Sequence, residues 1–441
     1  MRRPAPAAPA PAHAPPPPPP APSLLALLLA LVPLVLLVAA QADGGKDYTG
    51  WRVLRAQPAS AEQLRHVEVL VRALGAEGAS QLWRWRPATD VLVRGDVADA
   101  AMRFLGARGI AANVHVADVG AEIRRERSAD AQRRGPRPQD VLRSYLRYDE
   151  MNEFMDDLQR RFPHLATVAT FGRSYEGRDM KVMQISSGGG GQRPVILIDA
   201  GIHAREWIAP AMALYIIQQL VENPSNADLI ANVDWHVIPL LNPDGYEYSH
   251  TTDRMWRKTR SVTDVPECFG ADPNRNFDFY WGVVGVSWDP CKETYAGHEP
   301  FSEAESEALA MYGLGLRGRL RLYVAIHSYG GVFIHPWGYS HQKPSDYPKL
   351  VALGQEVAGA IRRAGIPRFD VGNCFEMLGE LAAGGSDDWM KGVAGANFSY
   401  TLEMPVPSFT TPAVHIERYV VPTFEGFRAM GRFVSGVFGC C

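Results

Sequence analysis

Gly201-Ile-His203-Ala-Arg205-Glu206-Trp207 sets an imidazole and a carboxylate three residues apart, so one tight turn of backbone can aim both at a single point. Zinc accepts imidazole nitrogen and carboxylate oxygen, and catalytic zinc sites use three protein ligands and keep one position open. A bare His-x-x-Glu is common by chance, so a third ligand has to come from elsewhere in the fold. Ile326-His327-Ser328-Tyr329 offers a suitable histidine. The bland alternative for each histidine is a buried ring that satisfies a hydrogen bond and holds nothing.

Both motifs follow runs that read as buried strands. Val195 to Asp199 precedes the first and Leu320 to Ile326 leads into the second, while Asp234 to Leu240 and Phe398 to Leu402 have the same near-continuous apolar character. Strands covered on both faces read this way. Helical spacing lies between them, at Met151 to Phe162, Ala209 to Glu222, Glu303 to Leu314 and Tyr347 to Ala364. The alternation predicts an α/β fold, a single large domain whose mixed, mostly buried sheet is flanked by helices. Such proteins place their sites where these two motifs stand, beyond strand ends.

Upstream the pattern changes. Trp51 to Arg55 reads as a strand, and Ser60 with Gln63 forms a capping box for a helix whose apolar face is Leu64, Val67, Val71 and Leu74. Strands at Gln81 to Trp85 and Asp90 to Val93, a helix at about Ala98 to Ala107 and a strand at Ala112 to Val119 complete a βαββαβ order. This is a small α+β sandwich with no residue pair suited to catalysis, so its task is steric or chaperone-like. A polar, basic stretch from Arg124 to Pro138 separates it from the large domain. Exposed basic linkers are preferred proteolytic sites, and this one reads as an activation segment with its cut near Arg134.

The first 42 residues read as a targeting segment. Arg2 and Arg3 supply charge, a Pro/Ala run extends through Pro22, and Leu24 to Ala40 is apolar before the small residues of Gln41-Ala42-Asp43. Cleavage gives a secreted, extracellular chain without a membrane attachment; a retained signal anchor is the rival reading. A formal net charge of −3 over 441 residues argues against nucleic-acid binding. Five cysteines are too few for a disulfide scaffold. The organisation read here is residues 1–42 leader, 43–120 prosegment, 121–135 activation linker and 136–441 catalytic domain.

His203-Ala-Arg-Glu206, Trp256-Arg257-Lys-Thr-Arg260, Asn274-Arg275-Asn276-Phe-Asp278, His327-Ser-Tyr329 and Thr401-Leu-Glu403 occur in one order. Together they resemble the zinc metallocarboxypeptidases of the pancreatic A/B type. The likeness runs from about Tyr148 to the C-terminus, and residues 46–120 resemble that family's inhibitory prosegment. It implies one zinc ion held by His203, Glu206 and His327, with Glu403 as general base and Arg257 as the stabiliser of the oxyanion. Asn274 and Arg275 match the clamp on the substrate's terminal carboxylate, a task for which a guanidinium fork is suited. Arg205 and Tyr329 match outer subsites, and Cys268 and Cys291 match a disulfide. The expected partners are peptide or protein C-termini and an activating trypsin-like protease, with the enzyme acting as a monomer.

Ala382-Ala-Gly-Gly-Ser386-Asp387-Asp388-Trp389 resembles the pocket segment of the B-type enzymes. Asp387 takes the pocket-floor position, which implies release of C-terminal Lys or Arg; A-type enzymes carry an apolar residue there. Gly338 leaves room in the pocket. One residue departs from the family: Glu380 stands where a mobile tyrosine closes over the bound carboxylate. A carboxylate there repels the substrate's own, so poorer substrate binding is expected. The alternatives are A-type specificity or a pseudoenzyme that binds peptide tails. Asn397-Phe398-Ser399 is a glycosylation sequon within an apolar strand, and burial is expected to leave it unmodified. Cys374, Cys440 and Cys441 have no assigned role.

Overall fold

A computed structural model describes residues 45–76, 78–84, 88–133, 140–188 and 192–439. The leader, Trp85, the expected cut near Arg134 and the Cys440-Cys441 pair lie outside these residues. The small N-terminal sheet is built from β1 (Arg52–Gln57), β2 (Ser80–Arg84), β3 (Thr89–Val93) and β4 (Ala111–Val116), in the order β2-β3-β1-β4. Helices α1 (Ala61–Ala76) and α2 (Gly95–Gly106) complete the βαββαβ unit. Ser60 accepts the Gln63 N–H at 3.1 Å, and Gln63 reaches back to the Ala59 N–H at 2.7 Å, so the capping box forms one residue wider than usual.

The basic stretch that follows is not an open linker over its first part: Val119–Arg133 forms helix α3. Its apolar residues Val119 and Ile123 join Val53, Leu92 and Val116 of the small domain in a core continuous with that of the large one.

In the large domain, α4 (Tyr148–Arg161) precedes β5 (Ala166–Arg173), β6 (Asp179–Ile185), β7 (Val195–Ala200), α5 (Ile208–Glu222) and β8 (Asp234–Ile238). Then come α6 (Pro243–Thr251), α7 (Ala304–Gly315), β9 (Leu320–Ser328), β10 (Val332–His335), α8 (Tyr347–Arg363) and β11 (Asp370–Asn373). The chain ends with α9 (Cys374–Leu378), α10 (Ser386–Trp389), β12 (Phe398–Met404) and α11 (Ile416–Phe438). The strands form one sheet in the order β11-β10-β12-β9-β7-β8-β6-β5. β12, β9, β7 and β8 run parallel, and antiparallel neighbours flank them.

The surroundings of β7 explain why its sequence is apolar except at Asp199, which accepts from the buried Tyr323 hydroxyl. Ile196, Ile198 and Ala200 enter one core, while Val195 and Leu197 enter the core on the opposite face. Among the described residues, no helix is long and apolar enough to cross a membrane.

The small domain is fastened to the large one by a buried ion pair. Arg254 donates to Glu126 of α3 at 2.6 and 3.1 Å, and to the Arg205 and Phe409 carbonyls at 2.9 and 2.6 Å. Its guanidinium also lies 3.5 Å from the Trp207 ring. Removing one member of a buried pair strands the other without compensation. Glu126→Ala is therefore expected to destabilise the uncut chain by about 3 kcal/mol, the low end because Arg254 keeps its carbonyl contacts. Denaturant unfolding of the uncut chain measures this, and an unshifted midpoint would contradict it.

Candidate functional site

The carboxyl ends of the central strands carry the chemistry. Gly201 follows β7 at φ +67°, where a Cβ would lie 2.7 Å from Leu240 and 3.1 Å from Pro210. That left-handed turn favours glycine, and it swings the chain so that His203 and Glu206 face the sheet end before α5 begins. His327 is near the end of β9, and Glu403 of β12 stands directly beside it in register.

His203 Nδ1 lies 2.9 Å from Glu206 Oε1 and 3.1 Å from His327 Nδ1, and Glu206 Oε2 lies 3.2 Å from His327 Nδ1. All three side chains are buried. Catalytic zinc takes imidazole and carboxylate donors from three side chains, so this group matches it in type and number. It is the one His/Cys/Asp/Glu trio so arranged among the described residues.

The surrounding charges act on Glu206 and His203. Burial works against ionisation of Glu206, but His203 and His327 override it and hold the carboxyl well below the usual range. Burial and the nearby Arg257 lower the pKa of His203, favouring the neutral ring that a metal requires. Glu206 also accepts the Ser328 N–H at 3.0 Å, which fixes its second oxygen.

Asp272 has no counterpart among the sequence expectations. It faces His203 Nε2 at 3.1 Å through Oδ1, while its Oδ2 accepts from Arg257 at 2.7 and 3.1 Å. Burial opposes its charge, yet Arg257, His203 and Arg275 together hold it well below the carboxylate range. One carboxylate thus orients a histidine of this trio and a cavity arginine at once. Its position two residues before Asn274 was the available signal; an acid there reads equally well as the cap it also provides to the Asn274 N–H, at 3.0 Å.

Every site residue named from the sequence reaches one cavity of about 680 Å³: His203, Arg205, Glu206, Arg257, Asn274, Arg275, His327, Tyr329, Glu380, Asp387 and Glu403. Arg275 is aimed by bonds to the Gly285 and Asn274 carbonyls, both 3.0 Å. Asn274 Oδ1 accepts the Ser386 N–H at 2.9 Å, tying this segment to the start of α10. The two neighbouring acids part ways. Asp387 lines the cavity, whereas Asp388 accepts the Gly338 and Tyr339 N–H groups at 2.9 and 3.1 Å. A Cβ on Gly338 would meet the Ala382 carbonyl at 2.9 Å, so the glycine keeps that wall open. Cys268 and Cys291 form a disulfide, and Cys374 is a buried free thiol.

The small domain shares this cavity, contributing Lys46, Trp51, Arg72 and Gln81 to its walls. Its Asp90 is paired with Arg55 at 2.6 Å and accepts the Tyr329 hydroxyl at 2.7 Å. Arg205 pairs with Glu293 at 2.8 Å.

A zinc carboxypeptidase family model matches residues 151–426. The chain is 41% identical to carboxypeptidase B of Astacus astacus over 304 residues, covering 67% of this chain and 98% of that one. It is 33% identical to carboxypeptidase B of Helicoverpa zea over 413 residues, 89% of this chain and 95% of the relative. The crystal structure of carboxypeptidase A from Helicoverpa armigera superposes with a TM-score of 0.80 at 30% identity, over 88% of this chain and 98% of that one. This chain belongs to the zinc carboxypeptidase family. It is a metallocarboxypeptidase with zinc as its cofactor.

Hydrogen-bonded partners of metal-bound imidazoles typically change metal affinity about 10–100-fold when replaced. Asp272→Asn is expected to weaken zinc binding within that range in a chelator competition titration. Unchanged affinity would restrict Asp272 to holding Arg257.

Proposed function

We propose that this chain is the zymogen of a secreted carboxypeptidase that releases C-terminal Lys or Arg. The observation that carries the specificity is Asp387, a buried carboxylate in a cavity whose walls include Ile334, Cys374, Leu378 and Ala382. An apolar sleeve with one acid fits a side chain made of an aliphatic stem and a cationic head. Burial raises the Asp387 pKa, and a bound ammonium or guanidinium offsets that cost.

In this reading Arg275 and Asn274 clamp the terminal carboxylate, which restricts cleavage to the last peptide bond. Glu403 takes a proton from the attacking water, whose oxygen bonds to the scissile carbonyl carbon. Arg257 donates to the oxyanion that forms. The carbon–nitrogen bond then breaks, and Glu403 passes its proton to the leaving amine. Zinc, when bound, polarises the carbonyl and lowers the pKa of water beside it. Arg205 and Tyr329 meet residues upstream of the bond. The walls contributed by Lys46, Trp51, Arg72 and Gln81, with Asp90 on Tyr329, support an inhibitory prosegment. The leader and the Cys268–Cys291 disulfide favour an oxidising, secretory route.

Assay of the chain before and after trypsin, on hippuryl-Arg and hippuryl-Phe, tests this directly. Activity should rise on cleavage and favour hippuryl-Arg; a preference for hippuryl-Phe would assign A-type specificity, and zinc binding without turnover a pseudoenzyme. Asp387→Ile should remove about 2–5 kcal/mol from hippuryl-Arg recognition in kcat/KM and invert the ratio. Retention of the wild-type ratio would contradict the pocket assignment.

Glu380 shares the cavity with Arg275 and Asp387. Two like charges 4 Å apart cost about 1–4 kcal/mol between watery and partly buried surroundings. Glu380→Tyr should therefore lower KM with little change in kcat, and an unchanged KM would remove Glu380 from substrate binding.

A further inference from the structure

We propose that Asn397 carries an N-linked oligosaccharide, an inference that rests on the secretory reading above. Asn397-Phe398-Ser399 is the only Asn-x-Ser/Thr sequence in the chain whose middle residue is not proline, since Asn223-Pro-Ser225 is barred. The expected burial holds for Phe398 and Ser399 but not for the acceptor, because Asn397 itself is exposed. It stands in the turn after Gly395, before β12 enters the sheet. Its side chain meets Arg321 Nη1 through Oδ1 at 3.2 Å, and the sugar would be borne on Nδ2.

The position is compatible with catalysis. β12 is parallel to β9, with Phe398 opposite Leu322 at one end and Glu403 opposite His327 at the other. At about 3.3 Å per residue, Asn397 lies about 20 Å along the strand from Glu403. A glycan there projects from the opposite end of the sheet to the cavity.

The order of events also follows from the fold. Ser399 Oγ donates to the Asp387 carbonyl at 2.6 Å, so the native state occupies the sequon's hydroxyl. β12 lies between β9 and β10, both earlier in the chain. The sequon is accessible to a transferase only until this last strand pairs, so the sugar is attached to the unfolded chain.

The test is expression of the full chain in a eukaryotic secretory cell, with medium and membrane fractions treated with an endoglycosidase that removes N-glycans. One discrete mass step should be lost. Asn397→Asp keeps an oxygen for Arg321 and should abolish the step while hippuryl-Arg hydrolysis persists; Ser399→Thr should retain it. A parallel chain with residues 1–42 replaced by an established secretory signal separates the two readings. A mass step with the substitute leader alone upholds the glycan and refutes the native secretory route. Chain that enters the secretory fraction without a mass step, or a step that survives Asn397→Asp, overturns the proposal.

Discussion

Three buried side chains whose donor atoms meet in contacts of 2.9–3.2 Å, one imidazole on each oxygen of Glu206, form the constraint on which the rest of this molecule depends. Two imidazoles and a carboxylate removed from water are costly unless something compensates their charges and lone pairs. A divalent cation does so. The protein's part is to prevent the donors from separating when the cation is absent. Asp272 holds His203, the Ser328 N–H holds Glu206, and β9 holds His327 in the middle of a sheet. The same Asp272 carries Arg257, so the orientations of His203 and of Arg257 are set by one side chain.

The second dependence is on the parallel strands. Glu403 is beside His327 only because β12 and β9 share a register, and His203 is near both because β7 borders β9. Residues separated by two hundred positions thus meet at one sheet end. Arg275 is positioned in a different way, through loops. Gly384, at φ +72°, lets the pocket segment approach the Arg275 carbonyl, where a Cβ would lie at 2.4 Å. The segments that carry Arg275 and Asp387 are therefore held together by the same backbone contact.

Much of this was legible in the residues because the central strands are buried on both faces and so have an unmistakable apolar pattern. The edge of the sheet was less so. β5 and β6 mix polar with apolar residues, and β10 and β11 are four residues each, too short to display a period. Helix α3 was hidden by its charges: Arg124, Arg125 and Arg127 suggested an open linker, yet Glu126 among them is the buried partner of Arg254. Asp272 was missed because a turn acid looks the same whether it caps a backbone or orients a ligand. At the sequon the apolar strand pattern reports correctly on Phe398 and Ser399, which are buried, but not on Asn397, the exposed residue just before the strand.

Metal content is the most direct measure of whether His203, Glu206 and His327 act as one site. Purified wild-type chain, dialysed against zinc-free buffer and analysed by atomic emission, should retain one zinc per molecule, and Glu206→Ala should retain essentially none while keeping its far-ultraviolet circular dichroism. Equal zinc in the two folded proteins would place the metal elsewhere and contradict the assignment.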